Sequence, residues 1–255
     1  MSASVFDGLI VDVASPVHRL APIVKVVATL TFLLAVVATP ARQVWAFGAF
    51  VLLLAVGVAL ARLPARHVLA RFAIETPFLL FAVLMPFLGT GDEVQVAGVS
   101  LSVPGLWGAW TLLAKGTLGV AASIVLVSTT PIPDLLDALH RLRVPRAFLL
   151  IAGLMVRYLD VVVGEVRRLQ VARTSRGDDP RWLWQGRAVA ATAGTLFVRS
   201  YERGERVHQA MLARGFDGTV PAPTDTIAPR WLPALLLPAA ALGVMAGALA
   251  SSAGT

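Results

Sequence analysis

The sequence predicts an all-α, polytopic membrane protein with about five transmembrane helices and long amphipathic cytoplasmic helices inserted before the last one. Three observations predict it. The chain is 57% hydrophobic with mean hydropathy +0.76, against about 45–50% apolar residues in soluble domains. Several apolar runs approach the roughly 20 residues that cross a bilayer as a helix. The charges are segregated, with fifteen of the 22 Lys and Arg lying between Thr130 and Arg230.

The N-terminal membrane part, residues 1–130, holds four spans. The first, Ile23 to Thr39, follows Pro16 and Pro22 and stops before Pro40. Val44 to Ala61 is the second. The third, Phe72 to Leu88, contains Pro77 and Pro86, which a bundle tolerates as kinks. A fourth runs from Gly105 to Thr129, after a Gly89–Pro104 loop without Lys or Arg. Within that loop "VQVAGVSLSV" alternates around Gly98, which predicts a small hairpin. Residues 230–255 hold the final span, Trp231 to Leu249, opened by an interfacial tryptophan.

Arg62, Arg66 and Arg71 join spans two and three, and Arg19 and Lys25 precede or open span one. With the basic 130–230 segment, they place the N-terminus in the cytoplasm by the positive-inside rule, Arg42 being the exception. The net charge of +7 follows this topology and is not a nucleic-acid footprint. Asp7 and Asp12 without an early basic patch argue against a cleaved signal peptide. Lys115 lies inside span four, where a charge is costly and is expected to snorkel, to pair with a carboxylate or backbone carbonyl inside the bundle, or to contact a partner subunit. Glu75 is expected at the interface.

Residues 131–229 form the cytoplasmic region. "IPDLLDALHRL" is a short amphipathic helix, and the helix after Pro145 begins apolar and turns amphipathic. Its apolar start, Phe148 to Val156, is too short to span alone and is expected along the membrane base. After a turn at "WLW", a helix from about Arg187 to Arg214 puts Phe197, Tyr201, Gly204, His208 and Met211 on one face. Phe197, Tyr201 and Met211 are expected to pack helix on helix. Two helix ends then match, Arg176-Gly177 and Ala213-Arg214-Gly215, 38 residues apart. Glycine closes a helix in the left-handed conformation, and a cation there complements the dipole. A single such end is ordinary termination. Two in one compartment suit a partner with two equivalent carboxylate-bearing sites.

"SPVHRLAPIVKVVAT" (15–29), the paired Arg-Gly ends and "FVRSYERGERVHQAMLARGFDG" (197–218) resemble the transmembrane T component of energy-coupling factor transporters, most of all its cobalt/nickel branch. The resemblance covers nearly the whole chain and is most specific at 197–218. It implies a non-enzymatic subunit of a prokaryotic plasma membrane that links two cytoplasmic ATP-binding subunits to a substrate-binding membrane subunit. It implies that Arg214 with Ala213 and Gly215, and Arg176 with Gly177, insert into grooves on the two ATPases. Ser175 replaces the alanine of the first motif, and Arg173 after Ala172 offers a second register. The same role for another micronutrient, such as a vitamin, remains an alternative.

No G-x-x-x-x-G-K-[ST] motif occurs, so ATP hydrolysis is assigned elsewhere. Cysteine is absent and the four histidines are scattered, so no cofactor or metal is expected on this chain. A membrane enzyme would need clustered carboxylates for a divalent ion, and neither Asp134/Asp137 nor Asp178/Asp179 has companions. A self-contained secondary transporter would show internal repeats.

Overall fold

The computed structural model describes residues 15–64, 66, 72–89, 91–96, 99–177, 186–218 and 231–253. Two compact units divide the chain, Gly8–Ala138 with Thr224–Thr255, and Met1–Asp7 with Leu139–Pro223.

The first unit is a helical bundle. Helix α1 (Pro22–Ala38) starts on a proline, whose missing N–H would have no partner in a first turn anyway. Helix α2 (Val44–Ala61) coincides with the predicted span and ends on Arg62 in the left-handed conformation, φ 53°. Arg62 N–H donates to the Ala59 carbonyl (3.0 Å) and Leu63 N–H to that of Val58 (3.3 Å), a Schellman closure. The predicted third span is shorter than expected. Phe72–Glu75 forms one 3-10 turn, and α3 is confined to Thr76–Leu88. Pro77 sits in the first turn of α3 and so starts the helix instead of kinking it.

Strands β1 (Glu93–Val96) and β2 (Val99–Ser102) pair antiparallel, as the alternation predicts; the turn at 97–98 lies outside the described residues. Ser102 then caps α4 (Val103–Thr129), its Oγ accepting from Gly105 N–H at 3.3 Å. Helix α8 (Trp231–Ala253) completes the bundle.

Helices α1 and α2 both pack on α4 and α8, and α3 runs along α4. Phe50 is fully buried at the centre, edge-on to Phe32 and Phe47 with ring centroids 5.7 and 6.5 Å away. Val36, Leu118 and five alanines, Ala35, Ala46, Ala122, Ala241 and Ala248, fill the rest of that core, where small residues let helices approach in lipid. The α3–α4 approach is closest at Gly105, where an added Cβ would lie 2.6 Å from the Met85 carbonyl oxygen.

Polar contacts tie the bundle at both ends. Lys25 of α1 donates to the Thr129 carbonyl of α4 (2.7 Å), and Lys115 of α4 donates to the Val37 carbonyl of α1 (2.6 Å). Lys115 therefore pairs with a backbone carbonyl inside the bundle, one of the expected alternatives. Glu75 is buried and accepts from Thr117 Oγ1 at 2.8 Å. Among the described residues it forms no ion pair with Lys115, which bonds the Val37 carbonyl instead.

By length and composition α2, α4 and α6 (Arg146–Thr174) can cross a membrane, while α1, α3 and Leu236–Ser252 are apolar but shorter. The protein is an all-α membrane protein. The division between units falls within α5 (Ile132–Arg141), which has Pro133 in its first turn. The second unit contains α6, with none of its residues fully buried, and α7 (Gly186–Ala213). The "WLW" segment lies outside the described residues.

Candidate functional site

Helices α6 and α7 meet over a short stretch. There the Glu165 carboxylate of α6 is clamped between two guanidinium groups. Arg168, one turn on, lies 2.6 Å away, and Arg199 reaches across from α7. Farther along α7, Glu202 and Arg206 form a looser i,i+4 pair at 3.9 Å.

The half-buried side of α7 carries Leu196, Ser200, Arg203, Val207 and Met211. Of the three residues expected to pack helix on helix, only Met211 lies on that side. Phe197 and Tyr201 are 71% and 61% exposed. The expected stripe is displaced by about one position, a rotation of roughly 100° about the helix axis. Both stripes satisfy three- and four-residue spacing, so α7 alone does not choose between them. Arg199, one turn from Leu196 and from Arg203, meets Glu165 of α6 beside the second stripe. Sequence reasoning missed Glu165. Its i,i+3 spacing to Arg168 was a local signal, but its partner on another helix left none.

The helix ends are alike in backbone geometry. At the end of α7, Gly215 N–H donates to the Leu212 carbonyl (2.9 Å) and Phe216 N–H to that of Met211 (3.0 Å), with Gly215 at φ +80°. This is a complete Schellman motif, and Ala213 is the last helical residue. At the end of α6, Gly177 N–H donates to the Thr174 carbonyl (3.0 Å), with φ +77°. A Cβ at either glycine would meet nothing within 4 Å. Backbone sign, not crowding, therefore selects glycine at both positions.

Arg176 and Arg214 each immediately precede the turning glycine and are exposed. Arg173 is half-buried one turn back within α6 and interacts within the chain. Arg176 is thus the geometric counterpart of Arg214. The Ser175 hydroxyl donates back to the Val171 carbonyl at 2.9 Å, so its proton is spent on its own helix, as an alanine would need none. Counting from the crossing, Arg176 lies 11 residues past Glu165 and Arg214 lies 15 past Arg199, about 16 and 22 Å along their helices. Each tip offers a planar guanidinium suited to bidentate pairing with a carboxylate. Among the described residues no group of three or more His, Asp or Glu is placed to hold a metal ion.

Comparison with known proteins sets this geometry among relatives. The family described as CbiQ, cobalt transport protein, matches residues 14–224. An energy-coupling factor transporter transmembrane protein EcfT of Bacillus selenitireducens is 30% identical over 234 residues, 86% of this chain and 86% of its own. The EcfT protein of Heliobacterium modesticaldum is 27% identical over 226 residues, 83% of this chain and 84% of its own. A fused cobalt transport protein, CbiMQ, of Methanocorpusculum labreanum is 26% identical over 238 residues. Those residues are 87% of this chain but only 39% of the longer fused relative.

Proposed function

The chain belongs to the CbiQ cobalt transport family as a T component of the energy-coupling factor type, and from that premise we propose that it couples two cytoplasmic ATP-binding subunits to a substrate-binding membrane subunit. Its N-terminus and the 131–229 region face the cytoplasm of a prokaryote's plasma membrane. Arg176 and Arg214 make charge-assisted bonds to one ATPase subunit each, and Gly177 and Gly215 turn the chain away so that the guanidinium leads. Phe197 and Tyr201, exposed on the outer side of α7, offer apolar surface to a partner chain. ATP hydrolysis and cargo binding belong to the partners.

The observation that carries this proposal is the pair of exposed Arg-Gly ends with the same left-handed closure on two helices of one unit. Co-purification with the two ATPase subunits, together with cobalt uptake in cells, tests it. Arg176→Glu combined with Arg214→Glu is expected to release the ATPases and abolish uptake; retention of both activities would sink the proposal.

The proposed cargo is cobalt or nickel. A second reading keeps the coupling role and changes the cargo, because the two EcfT relatives match along most of their length under names that specify no substrate. Uptake of labelled cobalt, nickel and vitamins by the assembled transporter separates the two readings.

A further inference from the structure

A cavity of about 740 Å3 opens among the helix ends of the first unit, and the coupling role makes no use of it. Its walls come from the start of α1, the ends of α2 and α4, and the early part of α8, with Val24, Leu60, Leu126 and Leu237 supplying apolar surface. Three cations line it, namely Arg19, Lys25 and Arg62, and no carboxylate does among the described residues. Asp134 lies near enough to Lys25 to offset part of its charge. Arg19 and Arg62 are exposed and make no ion pair among the described residues. Lys25 spends two of its three N–H groups on the Thr129 and His18 carbonyls, at 2.7 and 3.4 Å.

Arg62 holds the left-handed position that closes α2, φ 53°, and its turn brings a third cation to the cavity beside Arg19 and Lys25. The cations lie at or near helix termini, and helix termini of a spanning bundle fall near the lipid head groups.

We propose that this cavity is a binding site for an anionic phospholipid. The lipid phosphodiester lies between Arg19 and Arg62 with Lys25 as the third cation, and an acyl chain follows the Leu60–Leu237 wall. Arginine forks match phosphate oxygens, and basic pockets between membrane helices suit acidic head groups. A free phosphate would leave the apolar wall unused.

The test uses the full-length chain, delipidated and returned to nanodiscs of phosphatidylglycerol or of phosphatidylcholine. Lipid retention is read by native mass spectrometry and stability by thermal melting. Phosphatidylglycerol is expected to be retained and to raise the melting temperature above that in phosphatidylcholine. Arg19→Gln with Arg62→Gln should weaken retention about tenfold or more while leaving the melt in phosphatidylcholine unchanged. Arg62→Gly guards against misfolding, because it keeps the turn without strain and still removes one cation. Equal retention of the two lipids by the wild type, or undiminished retention by the variants, would overturn the proposal. So would inorganic phosphate at millimolar concentration reproducing the stabilisation in phosphatidylcholine, which would make this a simple anion site.

Discussion

The Lys115 ammonium lies 2.6 Å from the carbonyl oxygen of Val37, and the contact has a mirror at the other end of the same helix pair. Lys25 of α1 reaches Thr129, the last residue of α4, at 2.7 Å. Each helix thus supplies a lysine to the other's C-terminal end, where carbonyls lack intrahelical partners and the dipole favours a cation. Two lysines that would be costly in a membrane instead hold α1 and α4 antiparallel.

Lys25→Met and Lys115→Met should each lower the melting temperature of the purified protein, because each leaves a carbonyl unpaired at a cost of about 1–3 kcal/mol. The Lys25 variant should be the worse, since its bond to Thr129 is buried whereas that of Lys115 is exposed. Arg at position 115 should recover most of the loss. The two contacts lie at opposite ends of α1, so the double variant should equal the sum within about 0.5 kcal/mol. A strongly coupled pair would contradict independent latches.

Gly105→Ala should destabilise by about 1–3 kcal/mol, because its Cβ would come within 2.6 Å of backbone, the Met85 carbonyl oxygen. Gly108→Ala should be milder. Its Cβ would meet only the flexible end of Met85, Sδ at 3.2 Å and Cε at 3.3 Å. Thermal melts of the two variants, measured side by side, check the ranking.

Glu165→Gln should leave the melting temperature nearly unchanged, since exposed ion pairs contribute little to stability. Cobalt uptake should nevertheless fall several-fold, because the carboxylate joins α6 to α7 through Arg199. Glu165→Arg with Arg199→Glu restores the pairing and should recover part of the uptake. If Glu165→Gln transported normally, the crossing would have no part in coupling.

Arg176→Lys and Arg214→Lys should retain charge yet weaken ATPase-subunit affinity about tenfold each, because lysine loses the bidentate fork. Ser175→Ala should leave that affinity unchanged, its hydroxyl being bound within α6. Surface plasmon resonance with the isolated ATPase subunits measures both.

Helix existence was legible because apolar runs and prolines are local signals. Val44–Ala61 matches its predicted span residue for residue, and the 93–102 hairpin was visible in its alternation. The Arg-Gly ends were legible for the same reason, since closure of a helix is written within six residues. Relations between helices were not. Arg199 meets Glu165 34 positions away, and the pattern of α7 alone does not show which of its two similar stripes is half-buried within this chain. Glu75 had no nearby residue to announce Thr117, 42 positions away. Pro77 was expected as a kink, and it starts the helix because the preceding turn, Phe72–Glu75, is 3-10.

The crossing at Glu165 and Arg199 makes the second unit a pair of levers of unequal length. A rotation of about 10° about that pivot would carry Arg176, about 16 Å out, through about 3 Å, and Arg214, about 22 Å out, through about 4 Å. The same angular input would therefore be delivered as a longer stroke at one tip than at the other. A symmetric pair of motors working on these tips would meet an asymmetric load.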